Sequence, residues 1–153
     1  MSRSDIALIA LVDQVVRLSG RLAIARKMTT KSAGLRPADW LILTSICRAK
    51  THVTVAHIAR GLGHSRQGVQ RVANELVEQG LASLVDNPQD RRAKLLVATE
   101  QGHRLFELAA REARDWAASL SAGISPETLY GAARVLAEFR ERLELHSRKL
   151  GAR

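Results

Sequence analysis

Between residues 54 and 80 the chain carries two helical segments separated by only three residues, Gly63, His64 and Ser65. Thr54 reads as the N-cap of the first, "VAHIARGL", which Gly63 ends. Ser65 reads as the N-cap of the second, "RQGVQRVANELVEQ", which Gly80 stops. Two capped helices joined by so tight a turn have the proportions of a helix-turn-helix. In the second helix Val69, Val72, Ala73 and Leu76 make an apolar side, and Arg66, Gln67, Gln70, Arg71 and Asn74 gather opposite them. Gln and Asn can make two hydrogen bonds to an adenine edge, and Arg two to guanine. Ser65 and the free amides at the helix start can hold a phosphate. Residues 60–71 contain Arg60, Arg66 and Arg71 with no acid, while Glu75 and Glu78 come later, so the basic end leads. Against this stands a plainer reading, in which polar residues coat the wet face of a surface helix.

The segment after the helix pair decides between the two readings. "LASLV" (81–85) and "AKLLVA" (93–98) read as two strands around the seven residues "DNPQDRR". Asp86, Asn87 and Pro88 are turn formers, yet a two-residue turn would close such a hairpin with less chain. Either the arginines at the tip are solvated decoration, or the loop exists to carry Asp90, Arg91 and Arg92 outward. A helix-turn-helix followed directly by an arginine-tipped hairpin is a winged helix. Such a wing can enter a minor groove, where a narrow A·T-rich tract attracts Arg.

The rest of the chain is helical. Residues 4–31 space Ile6, Ile9, Val12, Val15, Val16, Leu22 and Ile24 as a helix does, with Arg17, Arg21, Arg26, Lys27 and Lys31 making the second half basic. "KSAGLRP" (31–37) breaks it, and Pro37 suits the opening of a second helix over 38–50. Thr99 restarts a long fifth helix. "SPE" at 125–127 then sets a cap, a proline at the first helical position and an acid in the first turn of a sixth, which runs to about Leu150. The expected order is α-α-α-α-β-β-α-α, a mainly α chain with one small hairpin. At 153 residues this is one domain.

Charge agrees with a nucleic-acid partner. The net charge is +9, carried mostly by residues 1–50, where nine Lys/Arg face three Asp/Glu. Aromatic residues at 3% argue against a single-strand binder built on stacking. A membrane-surface helix usually offers Trp or Phe on its apolar side. No apolar stretch approaches a bilayer span, "IALIALV" (6–12) lacks the layout of a signal peptide, and Cys47 is the only cysteine. A reducing cytoplasm, with the protein at the nucleoid, is the expectation.

"LRPADWLIL" (35–43) and "VTVAHIARGLGHSRQGVQRVANELVEQGLASLVDNPQDRRAKLLVATEQG" (53–102), with the long flanking helices, resemble the MarR-type winged helix-turn-helix transcription regulators. The most specific piece is "NPQDRRAKLLVATEQG", similar to that family's Asp, any residue, Arg, apolar strand, then Leu/Ala-Thr-x-x-Gly. The resemblance implies a homodimer, with residues 1–34 and 99–153 as intertwined dimerisation helices and 35–98 as the DNA-binding region. It implies a regulator, in the repressor mode, on a pseudo-palindromic duplex. It also makes Arg92 the minor-groove residue, Asp90 the carboxylate that orients its guanidinium by an ion pair, and Arg91 a phosphate contact.

Many members of that family release DNA when a small phenolic or aromatic-acid ligand binds near helices one, two and five. Arg17, Arg21, Trp40, Leu43 and Cys47 are the candidates here. For Trp40 and Leu43 a core position is the better expectation, and for Arg17 and Arg21 solvent or a partner subunit. Some members sense oxidants through a first-helix cysteine, which this chain lacks; Cys47 reads as a buried, inert thiol. The five histidines show no ligand spacing, so neither metal nor cofactor is expected. No G-x-S-x-G, phosphate loop or paired-carboxylate motif suggests an enzyme. The alternative is a winged-helix protein-interaction module without specific DNA binding, which would favour exposed aromatic anchors over a Gln/Arg face.

Overall fold

The structure, a computed structural model, describes residues 2–151. Its elements are α1 (Arg3–Thr29), α2 (Pro37–Cys47), β1 (Val53–Thr54), α3 (Val55–Leu62) and α4 (Arg66–Glu78), then β2 (Ala82–Val85), β3 (Leu95–Ala98), α5 (Glu100–Ser121) and α6 (Pro126–Gly151). The chain is mainly helical with a small antiparallel sheet, a winged helix-turn-helix. It divides into two compact units between Arg114 and Asp115, within α5.

In the first unit the expected caps form. The Thr54 hydroxyl accepts the His57 N–H at 3.2 Å, and the Ser65 hydroxyl accepts the Gly68 N–H at 3.1 Å. Gly63 takes φ 67°, a left-handed conformation that costs a glycine little, and lets the His64 N–H reach back to the Ala59 carbonyl at 2.9 Å. That αL step is what turns α3 into α4 within three residues. α2 and α3 both pack on α4. Val69, Ala73 and Leu76 are its buried side, with Val72 half-buried beside them.

Leu43, Leu76 and Leu96, from α2, α4 and β3, are the largest fully enclosed apolar side chains, each contributing about 1.5–3 kcal/mol by burial. Trp40 of α2 stacks on Phe106 of α5, ring centres 5.2 Å apart and planes 18° apart, joining the long helix to this core.

The sheet holds three strands in the order β1-β3-β2, both pairs antiparallel. The sequence pattern does not announce β1. Two residues carry too little alternation to read as a strand, and Val53 and Thr54 become one only by pairing with Leu96 and Leu95. α2 accordingly ends at Cys47 instead of reaching Lys50, with the Arg48 N–H closing on the Thr44 carbonyl at 3.1 Å, and the chain crosses to β3. α1 stops at Thr29, two residues early, because the buried Thr30 turns its hydroxyl back to the Arg26 carbonyl at 2.8 Å and its own carbonyl accepts from the Leu35 N–H. Ala93 and Lys94, expected in the second strand, belong to the loop before β3.

The base of the hairpin is closed by the start of α5. The Thr99 N–H donates to the Leu81 carbonyl at 3.1 Å and its hydroxyl donates to the Gly80 carbonyl at 2.6 Å, while the same hydroxyl accepts the Gly102 N–H at 3.1 Å. A Cβ on Gly102 would lie 2.0 Å from the Leu81 carbonyl oxygen, so only glycine admits this approach. The Thr-x-x-Gly spacing in "ATEQG" is therefore a helix cap and a joint at once.

The second unit holds the end of α5 and α6. The Ser125 hydroxyl accepts the Thr128 N–H at 3.2 Å, with Pro126 at the first helical position and Glu127 in the first turn. Leu129, Tyr130, Val135, Leu136, Leu143 and Leu145 are all exposed along α6.

Candidate nucleic-acid interface

The face of α4 opposite the core is bare. Arg66, Gln67, Arg71 and Asn74 are exposed and Gln70 is half-buried. Together with Glu75 and Glu78 they line one open depression along the helix. The Gln70 amide donates to the Asn74 side-chain oxygen at 2.9 Å. That bond orients the Gln70 amide while leaving its oxygen and one N–H free, the donor–acceptor pair an adenine edge requires. Ser65, just ahead of the helix, is exposed, and its hydroxyl proton is free to donate while the oxygen caps Gly68.

The seven-residue tip is ordered by its own side chains. The Asn87 side-chain oxygen accepts the Gln89 N–H at 3.0 Å, and the Asp90 carboxylate accepts the Arg92 N–H at 2.9 Å. These are successive Asx turns, reinforced by the Asp90 N–H to the Asn87 carbonyl and the Ala93 N–H to the Asp90 carbonyl. Arg91 and Arg92 stand exposed at the tip, without an ion-pair partner among the described residues. The expected ion pair between Asp90 and the Arg92 guanidinium is thus absent. Asp90 fixes the backbone that carries Arg92, because a short carboxylate reaches the N–H two residues on more readily than the end of a long side chain.

A linkage missed in the sequence ties this helix to the core. The Arg36 guanidinium grips Asp39 through Nε at 2.9 Å and Nη2 at 2.6 Å, and Nη2 also reaches Glu75 at 2.5 Å. Asp39 is 2% exposed and also accepts the Arg36 backbone N–H at 3.1 Å, capping α2. The two carboxylates, Asp39 foremost, raise the Arg36 pKa further above its ordinary value. "RPAD" shows the cap, but nothing local points to Glu75, 39 residues on.

The ligand candidates separate. Leu43 is fully buried, and Trp40 is nearly so beneath its stack with Phe106, so both are core. Arg17 is exposed and paired with Asp13 at 2.8 Å, and Arg21 is exposed. Cys47 is half-buried, and burial, with a smaller push from Glu107, raises its thiol to about 11. Among the described residues no group of three or more His, Cys, Asp or Glu could hold a metal ion.

A helix-turn-helix with a bare Gln/Arg face, followed by a hairpin with free arginines at its tip, is the winged helix-turn-helix arrangement. Residues 33–93 match the model of the MarR family. An uncharacterised protein of Mycobacterium tuberculosis is 42% identical over 97 residues, covering 63% of this chain and 66% of that protein, so the match spans just under two thirds of the relative's length. CouR from Rhodococcus jostii RHA1, solved bound to p-coumaroyl-CoA, superposes with a TM-score of 0.75 at 25% identity, over 83% of this chain and 89% of that one. A MarR-family regulator from Rhodococcus sp. RHA1 gives a TM-score of 0.75 at 23% identity, over 92% and 97%. Residues 33–93 thus resemble the MarR family, whose members are transcription regulators, and the fold of the chain is that of solved MarR-family proteins.

Proposed function

We propose that the protein is a sequence-specific repressor that binds a pseudo-palindromic operator as a homodimer and acts at the nucleoid in the cytoplasm. The observation that carries this reading is the uncovered face of α4 beside an ordered, arginine-tipped wing. Arg66, Gln67, Gln70 and Asn74 read the major groove, Ser65 holds a phosphate at the helix start and Arg71 one beside the groove, Arg92 enters the minor groove, and Arg91 takes the backbone. Asp90 contributes by shaping the wing.

A second copy of the chain is the partner that the terminal helices call for. Val16 and Ile24 of α1 are 64% and 66% exposed, and Tyr130 of α6 is 68% exposed, more apolar surface than a monomer ordinarily leaves wet. The effector is a small phenolic or aromatic acid or its thioester, a class supported by the p-coumaroyl-CoA bound to CouR. Of the five ligand candidates, the exposed Arg17 and Arg21 suit its anionic end, whereas Trp40, Leu43 and Cys47 support the site from within.

Selection of bound sequences from a random duplex pool tests the reading. Enrichment of two inverted half-sites about one helical turn apart is expected. No enrichment would favour a protein-interaction module instead. Arg92→Ala should weaken binding to the selected operator while thermal unfolding stays within about 0.5 kcal/mol of wild type. Undiminished affinity would sink the wing assignment.

A further inference from the structure

Arg71 and Glu75 stand four residues apart on α4, so their side chains share one face a single turn apart, a spacing at which Arg and Glu ordinarily pair. They do not pair here. The Glu75 carboxylate is taken by Arg36 at 2.5 Å, from the start of α2. Arg36 is itself aimed by a two-pronged contact to Asp39, whose burial leaves it nowhere else to go. Arg71 is left exposed, without an ion-pair partner among the described residues, in the same depression as Gln67 and Gln70.

We propose that Arg36 is a positioning residue for DNA binding: by holding Glu75 against α2 it prevents an Arg71–Glu75 pair and keeps the Arg71 guanidinium free for a DNA phosphate. This rests on the DNA-binding reading above and adds to it a residue that never touches the duplex. Without Arg36, Glu75 does double harm. It captures the cation one turn away and turns an unneutralised carboxylate toward a polyanion.

The test is a double-variant cycle read on the selected operator across a salt series. Arg36→Gln should lower affinity about tenfold at low salt, the scale of one charge-assisted contact. It should also flatten the dependence of log K on log salt by about one unit, because one cation has been withdrawn from the phosphates. Arg36→Gln combined with Glu75→Gln should recover both affinity and slope, although it lacks the clamp just as the single variant does. A purely structural role predicts the opposite: both variants equally impaired, with the wild-type slope retained. Equal impairment, or an Arg36→Gln protein that binds like wild type, overturns the inference. Arg36→Lys, which keeps a cation beside Glu75, guards against misfolding and should bind within about threefold of wild type. A wild-type protein that binds no duplex overturns the DNA reading and this inference together, whereas equal losses in a binding protein overturn this inference alone.

Discussion

Replacing Gly102 with alanine should be among the most damaging small changes in the chain. The added Cβ would sit 2.0 Å from the Leu81 carbonyl oxygen, where ordinary contact begins at 3.4 Å, so α5 or the end of α4 must retreat by about 1.4 Å (3.4 − 2.0). Leu81 is 3% exposed and its carbonyl holds the Thr99 N–H, so neither side can give way freely. Overpacking of this kind costs about 1–3 kcal/mol. Retreat also stretches the Thr99 bonds to Leu81 and Gly80, at about 1 kcal/mol each. The expected loss is about 3–5 kcal/mol, a large share of the roughly 5–15 kcal/mol that stabilises an ordinary domain. Urea unfolding followed by tryptophan fluorescence, at one fixed protein concentration, measures it, since Trp40 reports on the joint between α2 and α5. Gly61→Ala is the internal control. It lies within α3 with nothing near its would-be Cβ, so the same substitution should stabilise by about 0.5–1 kcal/mol. A Gly102→Ala loss below about 1 kcal/mol, or two variants of equal stability, would refute the reasoning.

Cys47 should alkylate slowly in the folded protein. Burial disfavours the thiolate and moves its pKa from 9.0 to about 11, so the rate at pH 8 should fall about a hundredfold below that in urea and rise with pH until about 11. Equal rates in native buffer and urea would show the thiol to be unprotected. Gln67→Ala should relax base preference at its position by about 1–3 kcal/mol, read as the affinity ratio between operators differing there. Asp90→Ala removes the acceptor of the Arg92 N–H, so amide exchange at Arg92 should quicken and operator affinity should drop with it. Exchange that stays slow would mean the turn does not need that carboxylate.

Local physics makes much of this architecture legible. Thr54, Ser65, Gly63 and Pro126 act within a few residues of where they stand, so capping preferences locate α3, α4 and the start of α6 directly. The polar set on α4 can be read for the same reason, since helical periodicity assigns each side chain to a face. What escapes depends on distant chain. β1 exists only because β3 lies beside it, and Arg36 finds Glu75 only after α2 has packed on α4. Asp90 is the instructive case: the family motif points to this residue in the wing, but its partner is the Arg92 backbone and not the Arg92 side chain. A resemblance carries residue types from one protein to another more faithfully than it carries their hydrogen bonds.

The hairpin is fastened at its base. Thr99 bonds to Gly80 and Leu81 where the strands meet α4 and α5, and residues 86–94 at the far end are held by their own Asx and backbone turns and by a loose Asp86–Lys94 ion pair. A clasp at the root and a self-contained tip divide the wing into a fixed mount and an exchangeable tool. Residues can be added, removed or recharged at the tip without shifting the register of β2 on β3 or the seat of α4. If the proposed DNA-binding role holds, new operators come within reach by remodelling a handful of exposed positions, while the Thr99 bonds at the root keep the start of α5 fastened to the end of α4.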